Sequence, residues 1–469
     1  MKTFPAQVSS DMVLLAFIYI AGTLAVFVLI LGLCLIDAGL VRRKNVLHTW
    51  IQKLTAAFVA GLGQAIGGYA LWQYTFNNAF GVPAPFGTAL KDWWVGGAFL
   101  NTHAALINPN ALPEADTQQV FFVFFVTFSM AVAALIHSSV VERIRSGALY
   151  AMSFVLGLIV VPVVAFLTWG PLSPLTARGL HDFEGVLTIY VFAGTWALVL
   201  AWRLRPRLGM HAPHASGARP VPHNLSLVGA GALLFMIALP LVMLASGFIA
   251  PGQGYYGIDY STSGIGTVLS GIVLAMIGGG VVGAVLAHAR REAQWVFFGP
   301  VTGVVICGSI IDVAKPWWCL LLGAAGPVVA LATMRLMIRL RVDELKVVPL
   351  ALGPGIVGMI AGGFIAWGTP TGGYPGLTGT YALGRATITP AWQLLGVVIV
   401  VAIAAAGSFV FCLVTQALGK LRVDEDHEVA GGDLTAWGTD NYGHEPLITA
   451  AAAAAGTASI DNEPAGSRK

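Results

Sequence analysis

The stretch Met12-Val-Leu-Leu-Ala-Phe-Ile-Tyr-Ile-Ala-Gly-Thr-Leu-Ala-Val-Phe-Val-Leu-Ile-Leu-Gly-Leu-Cys-Leu-Ile36 decides the fold. It carries no charge and runs into Asp37-Ala-Gly-Leu-Val-Arg-Arg-Lys44. At about 1.5 Å per residue it crosses a hydrocarbon core of about 30 Å with some tilt. It is too long for a signal-peptide core and has only Lys2 ahead of it, so a retained first helix is expected. Similar runs follow at 54–72, 120–140, 147–167, 187–202, 227–249, 265–287, 295–311, 316–338, 347–367 and 391–417. The expected architecture is an all-α polytopic membrane protein of eleven transmembrane helices.

Composition agrees. Of 469 residues, 57% are apolar and only 10% charged, and the formal net charge is +3. Mean hydropathy is +0.79. A soluble enzyme with a solvated surface and a disordered chain are excluded, because charged residues make up about 25% of ordinary soluble domains. The 57 glycines have no period of three, and the charge is too small to argue for nucleic acid. Cys34, Cys307, Cys319 and Cys412 all lie in apolar runs. Without CxxC or Cys/His spacing they suggest neither a disulfide scaffold nor a metal site. No phosphate loop, nucleophile elbow or metal-spaced His/Glu pair is present, so no catalytic residue and no cofactor is expected. Glycines such as Gly278, Gly279, Gly280, Gly323 and Gly326 read as sites of close helix packing in lipid.

An odd number of spans puts the termini on opposite sides. Of the 25 basic residues, only Lys2, Lys91, Arg178, Lys315 and Arg385 fall on one side. The remainder fall on the alternate connections and the C-terminal tail, which the positive-inside rule places in the cytoplasm. Residues 1–417 form the expected transmembrane domain, and 418–469 a cytoplasmic tail expected to be disordered after about Ile448. Trp93-Trp94, in the outer stretch 73–119, suits an interface belt.

Particular segments resemble the ammonium transporter family (Amt/Mep/Rh). Asp37-Ala-Gly-Leu-Val-Arg-Arg-Lys-Asn45 is similar to the family's exit from its first helix, and Val141-Glu-Arg-Ile-Arg145 to its Ala-Glu-Arg. Trp169-Gly170 with Asp182-Phe-Glu-Gly185 resembles Trp-Gly…Asp-Phe-Ala-Gly. Pro222-His-Asn-Leu225, Arg341-Val-Asp343 and Leu421-Arg-Val…Glu428…Gly431-Gly-Asp433 follow in the family's order, so the resemblance covers roughly residues 10–442. It implies two five-helix halves of inverted topology with an eleventh helix across them, a homotrimer that can include a paralogue, and one pore per subunit. It also implies a tail that docks on the subunits and can meet a PII-type regulator. A five-helix unit repeated in tandem must invert, because five is odd.

The resemblance further implies a mouth where an aromatic face and a hydroxyl attract ammonium, a gate of two phenylalanines, and a mid-membrane histidine pair that relays a proton. Trp169 takes the mouth tryptophan's position, Ser246 the mouth serine's, and Phe128 that of one gate residue, with Phe124 one turn earlier. Asp182 aligns with an aspartate that orders the mouth, and helix capping suits it best. The second gate phenylalanine is Val242. Both pore histidines are absent, and Tyr190 and Ala351 stand in their places. His137 lies in a span but on the face opposite Phe128, and reads as a histidine reaching the interface. The remaining histidines fall in loops, helix ends or the tail. Tyr190, with an unperturbed pKa near 10, is a poor proton relay, so little or no electrogenic transport is expected. The space at Ala351 would admit water or be plugged by Leu350 and Leu352.

The expected function is therefore passage of ammonium/ammonia, or a similar small solute, across the cytoplasmic membrane through a divergent pore. The alternative is a non-conducting ammonium sensor or regulatory subunit that signals through its cytoplasmic tail.

Overall fold

The computed structural model describes residues 10–101, 115–211, 220, 222–250 and 252–439. The tail beyond Ile448, and basic residues such as Lys2, Arg219 and Arg468, lie outside them. Ten helices are long and apolar enough to cross a membrane: α1 (Ser10–Leu40), α2 (Arg43–Ala79), α3 (Thr117–Val140), α4 (Ser146–Trp169), α5 (Val186–Leu204), α6 (Leu225–Ala245), α7 (Ile265–Arg290), α9 (Pro316–Arg339), α10 (Val348–Ile365) and α11 (Pro390–Leu418). The shorter apolar α8 (Gln294–Cys307) completes eleven. Each falls on an expected run, α2 extending its run of 54–72 at both ends and two other helices stopping early. α6 stops at Ala245 because Gly247–Ala250 pairs as a strand, and α8 gives way to turns after Cys307.

Five short strands occupy connections. β1 (Gly247–Ala250), β2 (Gly254–Gly257) and β3 (Thr262–Ser263) form an antiparallel meander with Phe248 opposite Tyr256. β4 (Pro370–Thr371) pairs with β5 (Ala386–Thr387). They lie with residues 170–185 and 308–315 at one end of the helices, the mouth end. The opposite end carries residues 41–45, 141–145, 205–210 and 340–347 and the tail from 419.

The halves α1–α5 and α6–α10 correspond. α1 packs along α6, and the fifth helix of each half begins in the same way. Asp182 caps α5 by accepting from the Val186 and Leu187 N–H groups at 2.7 and 2.9 Å. Glu344 caps α10 from the other end of the molecule, accepting from Val347 and Val348 at 2.8 and 2.6 Å. Each cap leads into a π turn, Val186–Val191 and Val348–Leu352, a local widening that often marks a functional site. Tyr190 lies in the first and Ala351 in the second.

Close approach of backbones joins the helices of the second half. A Cβ on Gly279 would sit 2.2 Å from the Gly299 carbonyl oxygen, and one on Gly326 would sit 2.5 Å from that of Thr302. This is the packing role expected of the small residues.

The tail folds back onto the helix ends. Asp433 accepts from the Leu47 and His48 N–H groups at 3.2 and 2.8 Å, and Gly432 N–H donates to Asn45 Oδ1 at 2.7 Å. Buried Glu428 gathers Arg422 at 2.7 Å, Arg42 at 3.2 Å and the Leu208 N–H at 2.6 Å. Arg42 also meets Glu142 at 2.6 Å. One carboxylate thus ties the tail to two other connections.

Candidate functional site: mouth, central cavity and tail-end chamber

At the mouth end, a chamber of about 340 Å³ is lined by Tyr19, Tyr69, Phe121, Trp169, Ser246, Tyr260 and Tyr374 among others. Among the described residues no acidic side chain lines it. Its attraction for a cation comes from ring faces, worth about 0.5–2 kcal/mol per good contact. Trp169 is almost wholly buried, and its Nε1–H donates to the Asp182 carbonyl at 2.7 Å, which fixes the ring. Ser246 Oγ donates to the Val242 carbonyl at 3.2 Å, one turn back on α6. Tyr260 and Tyr374, 4.2 Å apart between ring centroids, were not singled out by sequence. Trp93 differs from expectation. It is buried, stacked on Phe99 at 4.5 Å, and lines the chamber, whereas Trp94 is exposed as a belt residue would be.

Below the chamber, Phe128 meets the Trp169 ring edge-on at 5.8 Å, and Phe124 meets Phe128 at 5.0 Å. Both are buried, as is Val242. A separate cavity of about 60 Å³ is lined by Tyr190 and Ala351 together. The two positions that the resemblance pairs are therefore brought to one place. Leu33, Ile36, Phe235, Val301, Val305, Val347 and Leu350 complete an apolar wall. The volume exceeds what one water-sized molecule needs, so Leu350 lines the space without filling it. Leu352 packs on Gly194 instead.

The pore centre corrects one expectation. The Tyr190 hydroxyl does not stand alone; it donates to Glu184 Oε1 at 2.6 Å. Glu184 is buried, and its Oε2 has no partner among the described residues. Burial pushes its carboxyl up to about 8, with the Tyr190 hydroxyl acting in the opposite sense. A proton acceptor near neutral pH does therefore stand behind the position of the missing histidine. Gly185, at φ 93°, reverses the chain between Glu184 and α5 and sets the carboxylate over the first turn. The signal was in the sequence, as the Glu of Asp182-Phe-Glu-Gly185 where the family has Ala.

A second buried group underlies the mouth. His181 Nε2 lies 2.9 Å from Asp312 Oδ1, and its Nδ1 lies 2.7 Å from Thr371 Oγ1 and 3.6 Å from Asp259 Oδ2. Burial opposes the imidazolium, but Asp312 and Asp259 outweigh it and hold its pKa at about 9. Burial raises Asp182 to about 6 against its backbone donors. With the Phe183 and Glu184 N–H groups donating to the Ser309 and Gly308 carbonyls at 3.3 Å each, this cluster pins together the mouth connections of both halves.

His137 also differs from expectation. It is wholly buried between α2 and α3, with Nε2 3.2 Å from Gln52 Oε1, and does not reach an interface. Gln52 itself donates to the Ile144 carbonyl and Ser146 Oγ. The histidine packs with polar partners near the tail end and does not line the central cavity.

A third chamber, about 370 Å³, opens at the tail end and is lined by Ser138, Arg143, Arg207, Phe298, Asp343, Glu344 and Lys346 among others. Asp343 is paired with Arg207 at 2.8 Å and Arg143 at 3.4 Å. Although burial disfavours its charge, those arginines hold its carboxyl well below the usual range.

The family described as Ammonium Transporter Family matches residues 16–442. Amt1 of Methanocaldococcus jannaschii is 23% identical over 438 residues, spanning 92% of this chain and 97% of that protein. Ammonium transporter 1 member 3 of Solanum lycopersicum is 26% identical over 456 residues, spanning 89% of this chain and 90% of that protein. Among solved structures, Mep2 of Saccharomyces cerevisiae superposes with a TM-score of 0.68 at 20% identity, over 93% of this chain and 94% of Mep2. A structure named Sensor Amt Protein gives 0.70 at 18% identity, over 92% of this chain and 99% of that one. Those structural likenesses speak for the fold. With the family match running over nearly the whole length, and the Trp169 mouth and the paired Tyr190 and Ala351 positions in place, the chain belongs to the ammonium transporter family.

Proposed function

We propose that this protein passes ammonium nitrogen across the cytoplasmic membrane as neutral ammonia. The observation that carries the reading is the succession of three spaces along the helices: an aromatic mouth, a narrow apolar cavity and a polar chamber at the far end. A bare cation in such an apolar cavity is costly, whereas an uncharged amine is not. Trp169 and Ser246 hold the cation at the mouth, with Phe128, Phe124 and Val242 as the constriction below. Tyr190 hydrogen-bonds the substrate, and Glu184 behind it takes the proton. Among the described residues, the cavity wall carries no titratable group apart from Tyr190 until Asp37 and Lys346 at its far end. The proton thus has no path onward and returns to the mouth side, so passage is electroneutral.

In the same reading the mouth faces outward and the basic tail end faces the cytoplasm. Residues 1–417 form the transmembrane unit, three copies assemble, and the docked tail is where a PII-type regulator would act. The test is the purified protein in proteoliposomes, with amine uptake read from lumenal pH and charge movement from solid-supported-membrane current. Uptake without current is expected. Ammonium binding without uptake would replace this reading by the sensing one.

A further inference from the structure

At the far end of the central cavity stands an arrangement that the pore reading does not use. Asp37, in the last turn of α1, meets Lys346 Nζ at 2.6 Å and Lys53 Nζ at 2.9 Å. Lys53 is wholly buried and also donates to the Ala134 carbonyl and Ser138 Oγ at 2.7 Å each. It is therefore fixed between α1, α2 and α3. Lys346 is fixed from its own side. Glu344 accepts from the Lys346 N–H at 3.2 Å while capping α10, so the lysine's backbone is part of the cap.

Lys346 lines both the central cavity and the tail-end chamber, as do Ser138 and Phe298. Those three residues form the wall that the two spaces share. The charges there do not cancel. Lys53 and Lys346 face one aspartate, Arg143 and Arg207 share Asp343, and Glu344 is spent on backbone N–H groups. Among these residues four cations stand against three carboxylates, in a partly buried site where charges act more strongly than in water. The two lysines share one aspartate, with the shorter contact at Lys346, so one positive charge is left over between them. Of the two, Lys346 is the one that lines both spaces.

We propose that Lys346 is the cation barrier of this pore. Its ammonium group, moored on Asp37 and backed by Lys53, occupies the opening between the central cavity and the tail-end chamber. It refuses a second monovalent cation while letting an uncharged amine slip by. The inference rests on the pore reading above and adds the residue that sets its selectivity between cation and neutral molecule.

The test compares wild type with Lys346→Met, which keeps the apolar stem and leaves Asp37 and Lys53 as a neutral pair. Both are reconstituted in proteoliposomes, with ammonium-jump current and lumenal amine uptake recorded separately. Wild type should take up amine with no current above protein-free vesicles, and Lys346→Met should add a saturable current at least tenfold above wild type. A Lys346→Cys protein provides a second measurement should the methionine variant misfold. Its current should vanish when aminoethyl methanethiosulfonate restores an ammonium group, and persist after the neutral methyl reagent. Uptake without current in both wild type and Lys346→Met would overturn the barrier and leave the pore reading standing. No amine uptake by either protein would overturn the pore reading and the barrier with it.

Discussion

Replacing Glu184 with glutamine tests the pore centre directly. Glutamine keeps the volume and an Oε1 acceptor for the Tyr190 hydroxyl, now 2.6 Å from the carboxylate, and removes only the proton site. With the carboxyl held up at about 8 by burial, it is about 9% ionised at pH 7, about half at pH 8 and about 91% at pH 9. An acid accepts a proton only when ionised, so its raised pKa makes the rate climb with pH. At ammonium concentrations that saturate the mouth at each pH, wild-type uptake should rise about tenfold between pH 7 and pH 9. Glu184→Gln should be flat over that range and sit near or below the pH 7 value. The assay is stopped-flow lumenal pH in proteoliposomes, with the leak of protein-free vesicles subtracted. A glutamine variant with the same tenfold rise would show that another group takes the proton.

Three further outcomes follow from the geometry. Trp169→Leu should weaken methylammonium binding by about 0.5–2 kcal/mol, a factor of about 2 to 30, and unchanged affinity in correctly folded protein would reduce Trp169 to a packing residue. Cysteines introduced at 85–92 and at 425–437 should label from opposite sides of the membrane, and labelling from one side would break the assignment of eleven crossings. Glu428→Gln removes the charge that gathers Arg42 and Arg422. At about 2 kcal/mol for charged hydrogen bonds at a part-buried site, amide exchange across 425–437 should accelerate about thirtyfold, and unchanged exchange would mean the tail is held by its other contacts, such as those of Asp433 and Gly432.

The helices were legible because lipid imposes one requirement on every residue of a span, and about 20 consecutive apolar positions are hard to produce otherwise. Asp182 was legible for a related reason. A carboxylate just before an apolar run has orphan N–H groups within reach, and it caps α5 as expected. Glu184 was less so. Its bond to Tyr190 spans six residues across a left-handed glycine and a π turn, a geometry that regular helical spacing does not anticipate. Asp37 and Lys346 are 309 positions apart, and each had another ready reading, one as part of a helix-exit motif and the other as a basic loop residue. Trp93 and His137 were misplaced because amphipathic side chains near a helix end suit an interface as well as a tight interior. Composition does not tell these apart until the neighbouring helices are in place.

Glu184 and Lys346 make sense together more readily than apart. A pore that relays protons through two neutral imidazoles needs no charge near its centre. This chain instead places an acid behind Tyr190 on one side of the apolar cavity and, on the other, an ammonium group that shares its aspartate with a second lysine. In the proposed reading the acid favours surrender of a proton by ammonium at the entrance, and the ammonium group disfavours any cation that arrives at the exit with its proton still on. Without the acid, a barrier at Lys346 would leave ammonium with no route through the cavity. Without the barrier, stripping the proton would confer no selectivity, because cations of similar size would meet only the desolvation cost of the cavity itself. The loss of both histidines therefore does not by itself argue for a closed pore. It removes one way of separating ammonia from its proton, and in the proposed reading the acid at one end of the cavity and the lysine at the other supply another.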